Sequence, residues 1–547
     1  MSDVRTDPGP GGGVRELGER LRACRDAGDP VEAGVAEAAR FGAGLDAAIH
    51  ALADEAALED DPTWHSILVA IHDVATSRSM LRDCATGRIF DESFYVRRHP
   101  DIAAAVQAGN LADGFTHFVR HGAVEGRAAH AWRPVGRASD RAVRWTRVGD
   151  VGVAELAAGE RRVAMNFIGF LSSNMGLGVT ARNFIRLFDD AGFDLHLVDL
   201  PLPFGRSRHD LGQGHRFASV HEPSPHRVNF FVMSLQDVRD QLGRGFAALD
   251  LTGRINVALP FWELPRLPPA CVSVLDQLDV VLAASDFVRD QLKAEAHCPP
   301  VVEIGHPLYL PQGVAADRAR FGIPADRVAF LASFDLSSDT ARKNPFAALT
   351  AFERAFSGDD RACFVVKVNS HREPSAREAP HLARLVEAVS RVPNARLVHE
   401  ILGYADVMSL CASCDALVSL HRAEGLGLCL MEAMSLGKPV IATGWSGNTS
   451  YANQDNSCPV DFDLVPVRSE TQAAYDACNL APGSVWAEPA IEHAARWMRT
   501  LVDAPALRAR IGAKARADMI AYQRRIGLGE LVAAIRTAAA RCGVALN

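Results

Sequence analysis

Two glutamates, Glu424 and Glu432, stand eight positions apart around the short turn Gly425-Leu-Gly427. An apolar run predicts a strand over 416–420 that leads into this turn. A helical pattern opens just after it, and a second strand is predicted over 438–443. A strand, a Gly-rich turn and a helix N-terminus together form a seat for a phosphate group. The free N–H groups of the first helical turn point at the anion, and the helix dipole favours negative charge there. Glu424, ahead of the helix, is placed to hold neutral hydroxyls. Glu432, one to two turns in, is placed to accept hydrogen bonds from a ribose. A phosphate seat flanked by these two acceptors implies a nucleotide-sugar site.

The elements that must hold this turn form a β/α alternation from Arg162 onward. Strands are expected at 163–171, 194–200, 228–234, 255–260, 280–284 and 301–304. Helices are expected at 179–191, 236–249 and 286–297. The pattern restarts near 315, with strands at 328–334, 363–368 and 395–400 and helices at 345–356, 381–392 and 405–414. Short apolar strands alternating with amphipathic helices imply parallel sheets covered on both faces. The fold class is therefore α/β, as two doubly wound, Rossmann-like domains facing a cleft, preceded by an N-terminal helical region. Ligands bind beyond the carboxyl ends of such strands.

The expected division is a disordered tail over 1–13, a helical region over 14–130 and a linker over 131–160. An acceptor-side Rossmann-like domain then spans 161–314, a nucleotide-sugar domain 315–490 and C-terminal helices 491–547. Within the helical region, 31–50 and 67–81 carry helical spacing. Residues 90–128 are rich in aromatic and histidine positions and resemble a short helical module found singly or repeated in bacterial surface proteins and beside some glycosyltransferases. They read either as a ligand surface or as a small core.

With 58 Lys and Arg against 66 Asp and Glu, the net charge of −8 gives no electrostatic case for nucleic acid. No apolar run reaches the roughly 18 residues of a membrane span. The N-terminus lacks an apolar signal core, which makes the cytoplasm the expected compartment. Eleven cysteines follow no framework spacing, and Cys411-Ala-Ser-Cys414 reads as packing rather than as a redox or metal site.

The segment from His421 to Glu432 resembles the Glu-x7-Glu signature of retaining GT-B glycosyltransferases, notably family four. Ser333-Phe-Asp-Leu-Ser with Arg342-Lys343-Asn344-Pro345 looks like the basic loop of that family's donor domain. Gly437–Thr443, Gly444-Trp-Ser-Gly-Asn448 and the Gly176-Leu-Gly178 turn are similar to other family segments. Phe261-Trp-Glu-Leu-Pro and Ala284-Ser-Asp-Phe look like segments of one branch. The resemblance covers about residues 162–540. It implies sugar transfer from a nucleotide diphosphate to an acceptor hydroxyl, with retention and with no metal or other cofactor.

On that resemblance the catalytic residues are Glu424, Lys343 and Arg342, with Lys343 and Arg342 stabilising the departing diphosphate. The family more often spaces its Arg and Lys several residues apart; here they are adjacent. Donor-binding positions are Glu432, Gly427, Leu428, Gly425, His421, Gly178 and Ser333. Glu263 and Asn174 are acceptor-side candidates, and no metal ligand is expected. The implied partners are a nucleotide sugar and a bacterial glycan or glycolipid acceptor, with peripheral association at the inner membrane face.

Each motif also has a plainer reading. His421 is equally a core histidine, and Glu263 equally a loop cap. Gly176 and Gly178 follow a strand and open a helix, and Asp199 ends the next strand, which nearly makes a dinucleotide fingerprint. An NAD-dependent oxidoreductase is therefore one alternative. A non-catalytic carbohydrate-binding protein is the other.

Overall fold

The computed structural model describes residues 99–108, 144–150, 163–173, 175–200, 216–218, 220, 222–369, 379–399, 402–468 and 480–546. The chain divides into two compact units, Met1–Arg141 and Ala142–Asn547. In the first unit the described residues form one helix, Pro100–Gln107, with Pro100 at its first turn. The expectations for 1–98 and for 109–143 lie outside the described residues.

The second unit holds seventeen described strands in four sheets. They are β1 (Trp145–Arg147), β2 (Met165–Gly169), β3 (Leu195–Asp199), β4 (Phe217–Ala218), β5 (Val228–Val232), β6 (Ile255–Leu259), β7 (Val280–Ala283), β8 (Val301–Glu303) and β9 (Tyr309–Pro311). The chain continues through β10 (Val328–Asp335), β11 (Ala362–Asn369), β12 (Ala395–Val398), β13 (Ala416–Ser419), β14 (Val440–Thr443), β15 (Cys458–Val460), β16 (Phe462–Pro466) and β17 (Val485–Pro489).

One parallel sheet runs in the order β4-β3-β2-β5-β6-β7-β8, and the other in the order β12-β11-β10-β13-β14-β15. Counted from its own first strand, the second is the 3-2-1-4-5-6 order of a dinucleotide-binding fold, and the first carries the same order plus an edge strand. The α/β class and the two doubly wound lobes therefore agree with the sequence reading. β2, β5 and β6 are buried at every position, as strands covered on both faces must be. Behind the first sheet Phe167 stacks on Phe230, ring centroids 5.3 Å apart, with Phe184 and Phe188 beside them. Phe330, Phe352, Phe356 and Phe364 do the same work in the second lobe.

Several elements depart from the sequence expectation. The helix expected over 236–249 stops at Leu242, because Gly243 and Gly245 follow and Gly245 takes a φ of +69°. A short 3-10 turn, Ala247–Leu249, replaces its last turn. Residues 145–147, inside the segment read as linker, form β1 and pair antiparallel with β9, the stretch that leads from the first lobe to the second. The hairpin β16–β17 was not foreseen. The C-terminal helical pattern resolves into three helices, Ile491–Asp503, Pro505–Gln523 and Leu528–Cys542. The first packs on helix Pro345–Phe356 of the second lobe, and the last two return to the first lobe. The Gln523 side chain accepts from Leu308 N (2.9 Å) and donates to His306 O (3.1 Å), and Tyr522 Oη accepts from His306 N (3.0 Å).

Candidate functional site

In each lobe the direction of strand order reverses once: between β2 and β5, and between β10 and β13. Loops leaving adjacent strands there run to opposite faces and open a crevice. In the second lobe the loop after β10 carries Arg342 and Lys343, and the loop after β13 carries His421 and Glu424. Two segments some eighty residues apart therefore meet because the strand order puts them at one crevice.

The basic loop is tightly built. Asp339 caps a single helical turn, Thr340–Lys343, by accepting from Arg342 N (2.6 Å). Asn344 then takes a left-handed φ of +51°, which Asn tolerates better than most residues. Pro345 opens helix Pro345–Phe356 at its first turn, where a missing N–H costs nothing. Arg342 is buried. Its guanidinium donates to Ala423 O and Ser338 O, both at 2.9 Å.

Charges of both signs converge there. Lys343 Nζ pairs with Glu424 Oε1. Arg342 lies 3.5 Å from Glu424 Oε2 and 3.5 Å from Glu263 Oε1. Glu263 belongs to the first lobe, in the loop after β6. The order Glu263–Arg342–Glu424–Lys343 thus spans the junction between lobes. Glu424 is only 6% exposed. Burial alone would raise its carboxyl, but Lys343 and Arg342 outweigh burial and bring it down to about 2. It is ionised at neutral pH.

Glu432 has the opposite environment. It is 7% exposed on helix Leu428–Ser435 and accepts one hydrogen bond, from Tyr404 Oη at 2.7 Å. Burial pushes its carboxyl up to about 7, and the Tyr404 bond offsets only part of that. One motif therefore carries two carboxylates with opposite proton affinities, because among the described residues only one has cations beside it.

The helix between them starts without a side-chain cap. Gly427 is its N-cap, with a φ of +84°, and an added Cβ would lie 2.9 Å from both Leu430 and the Tyr451 hydroxyl. The N–H groups of Leu428 and Cys429, in the first turn, have no intrahelical acceptor. Gly425 is pinned from both sides. Its carbonyl accepts from Ser285 Oγ of the first lobe (2.7 Å), and a Cβ on Gly447 would come within 2.1 Å of that same oxygen. Glu424 N donates to Ser446 Oγ, and Gly447 N donates back to Glu424 O.

His421 is fully buried. Ser419 Oγ lies 3.0 Å from Nδ1 and Asn448 Oδ1 lies 3.0 Å from Nε2. Burial lowers its pKa, so it is neutral. The structure uses it to tie β13 to the Gly447 turn, and both ring nitrogens are engaged. Ser333 is paired in register with Lys367 on the neighbouring strand, with no hydrogen bond to the charged group among the described residues. Gly178 is in the other lobe, inside helix Gly176–Asp190, where a Cβ would meet Ser173 O at 2.4 Å. Its lack of a side chain has a packing reason. Asn174 lies outside the described residues.

The dinucleotide reading of that turn meets an obstacle. Asp199 is engaged by Ser172, through N at 3.1 Å and Oγ at 2.7 Å. Arg182 fills the turn, donating to Leu171 O and Ser173 O at 2.7 Å each. The carboxylate that would receive a ribose holds the loop instead.

Sequence reasoning missed three contributors: Tyr404 on Glu432, Arg422, and the hairpin. Arg422 forms a two-pronged pair with Glu488 of β17 (2.6 and 3.0 Å), stacks over Trp486, and donates N–H to Arg342 O (2.7 Å). Its position next to the motif was the only signal. Cys411 and Cys414 are buried, and burial pushes Cys411 up to about 12, in keeping with packing cysteines. Among the described residues, no helix is long and apolar enough to cross a membrane.

Fold and site together define a two-lobed α/β protein with paired carboxylates and a basic loop at the crevice of its second lobe. Residues 371–480, a stretch within the second lobe, match the family described as Glycosyl transferases group 1. No curated protein matches the chain. Among solved structures, the chain is similar to a glycosyltransferase from Rickettsia africae (12% identity, 70% of this chain and 98% of that one, TM-score 0.46). It is also similar to Anabaena HepE in complex with UDP-glucose (14% identity, 70% and 100%, TM-score 0.45). A third likeness is to the pneumococcal O-GlcNAc transferase GtfA in complex with UDP and GlcNAc (13% identity, TM-score 0.37). There the match covers 57% of this chain and only 56% of that one.

Proposed function

We propose that this chain is a retaining GT-B glycosyltransferase that moves a sugar from a nucleoside-diphosphate sugar to an acceptor hydroxyl. The observation that carries this reading is the Glu263–Arg342–Glu424–Lys343 array beside an uncapped helix N-terminus, at the crevice where such folds bind ligands. The match to the group 1 glycosyl transferases supports it.

The diphosphate sits against the N–H groups of Leu428 and Cys429. Lys343 and Arg342 face the oxygens that gain charge as the glycosidic bond breaks. Fixed cations aimed at developing charge lower the barrier, and each 1.36 kcal/mol is about tenfold in rate. The same oxygens then take the acceptor's proton on the face the leaving group vacates, which retains configuration without a side-chain nucleophile. Glu424, ionised and held by two cations, accepts from the sugar's hydroxyls. Glu432 takes the ribose. Two cations and a helix dipole supply the role a metal ion plays elsewhere. The acceptor in this proposal is a glycan or glycolipid, reached in the cytoplasm or at the inner membrane face.

The test is release of nucleoside diphosphate from a panel of nucleotide sugars. Lys343→Ala lowers kcat by about 100-fold, the usual loss for one oxyanion donor. Glu432→Ala acts mainly on donor KM. Unchanged release in both variants refutes the assignment.

A further inference from the structure

A second set of contacts reaches Glu432 from outside the motif. Tyr404, at the start of helix Tyr404–Ser413, holds Glu432 Oε1 with its hydroxyl. The Tyr404 ring packs on Trp145 of β1, with centroids 5.4 Å apart and planes tilted by 34°. Over the Trp145 ring lies the Arg186 guanidinium, 3.7 Å from the ring centroid. Arg186 is on helix Gly176–Asp190 of the first lobe, and Tyr404 is in the second. Trp145 is thus a wedge between the lobes, and β1 is paired with β9 at the crossing between them.

A carboxylate on a short helix can rotate about its last torsions. One hydrogen bond from a braced tyrosine fixes which oxygen stays open to a ribose. The tyrosine itself has free side-chain torsions unless something packs against its ring. Among the described residues Trp145 is the aromatic partner of Tyr404, and a cation over the indole helps hold that ring in place.

We propose that Trp145 is a positioning residue of the donor site, which holds the Tyr404 hydroxyl on Glu432 and so sets the carboxylate that receives the nucleotide's ribose. This rests on the glycosyltransferase reading above. It gives the segment before the first lobe a part in donor binding, and it couples ribose recognition to the seating of β1 against the lobe crossing.

The experiment compares the wild-type chain with Trp145→Ala, Trp145→Phe, Tyr404→Phe and the double variant Trp145→Ala/Tyr404→Phe. Binding of nucleoside diphosphates and of inorganic diphosphate is measured by calorimetry, and donor KM and kcat by nucleotide release. Trp145→Ala and Tyr404→Phe should each weaken nucleoside diphosphate about 5-fold, the value of one net hydrogen bond. The loss should appear in KM rather than in kcat, and Trp145→Phe should restore most of it. The double variant should be no worse than the worse single one, because both act through one bond. Inorganic diphosphate, which has no ribose, should bind all variants alike.

If the wild type binds nucleoside diphosphate and Tyr404→Phe and Trp145→Ala bind it equally well, the positioning role is overturned and the functional reading stands. Losses that multiply in the double variant, or that extend to inorganic diphosphate, also overturn it. If the wild type binds no nucleoside diphosphate, the functional reading falls and takes this role with it.

Discussion

Replacing Glu432 with Gln should make this protein less sensitive to alkali, by an amount the site itself sets. Among the described residues, Glu432 is buried with one donor, Tyr404, and no cation beside it. Its carboxyl sits at about 7, against 4.5 for the same group in water. Each pKa unit is 1.36 kcal/mol, so the gap corresponds to about 3 kcal/mol. The native state binds this proton more tightly than the unfolded state does. Between pH 4.5 and about 7 the folded protein therefore holds the extra proton, and its stability falls as pH rises through that window. Glutamine never ionises and carries no such penalty. Relative to wild type, Glu432→Gln should gain up to about 3 kcal/mol between pH 5 and pH 8. Denaturant midpoints for both proteins at half-unit pH steps read this directly, and only the difference between the curves matters. Parallel curves would refute the reasoning, because they would mean that Glu432 is solvated or paired in the native state.

Other outcomes follow from the same geometry. Glu424 behaves in reverse: its low pKa adds stability that is present above pH 4.5 and lost as pH falls toward 2. Removing its closest cation with Lys343→Ala should cost about 3 kcal/mol near neutrality, with the deficit shrinking in acid, as urea titrations at pH 7 and pH 3 would show. Glu263→Gln should lower kcat/KM about 5-fold by loosening Arg342, and unchanged kinetics would detach Glu263 from the site. Gly447→Ala drives a methyl to 2.1 Å from the Gly425 carbonyl and should cost at least 2 kcal/mol, read as a fall in Tm. Gly529→Ala, with nothing within 4 Å and in a helix, should be neutral or stabilising in the same assay.

Much of the second lobe was legible in residue order because its pieces are local. Helix Pro345–Phe356 begins where a proline permits it. The turn around Gly425 and Gly427 is a strand, a glycine with positive φ and a helix start, all within a dozen residues. The paired carboxylates could be named for the same reason. The break of the 236–249 helix is local too, written in Gly243 and Gly245. The Gly176 turn was misleading in part, since a glycine demanded by packing against Ser173 looks the same in sequence as one demanded by a phosphate.

What the chain's order determined by itself was the alternation of strand and helix, and with it two parallel sheets, the crevice and the residue types that face it. Periodicity and backbone sterics act over a few residues, and they are written in the string. What only the tertiary structure decided was which charges and rings meet. Glu263 reaches Arg342, Arg422 reaches Glu488, and Trp145 reaches Tyr404 across long intervals of chain. The opposite proton affinities of Glu424 and Glu432 depend on those meetings, because a carboxyl's pKa is set by its desolvation and by the charges a few ångströms away.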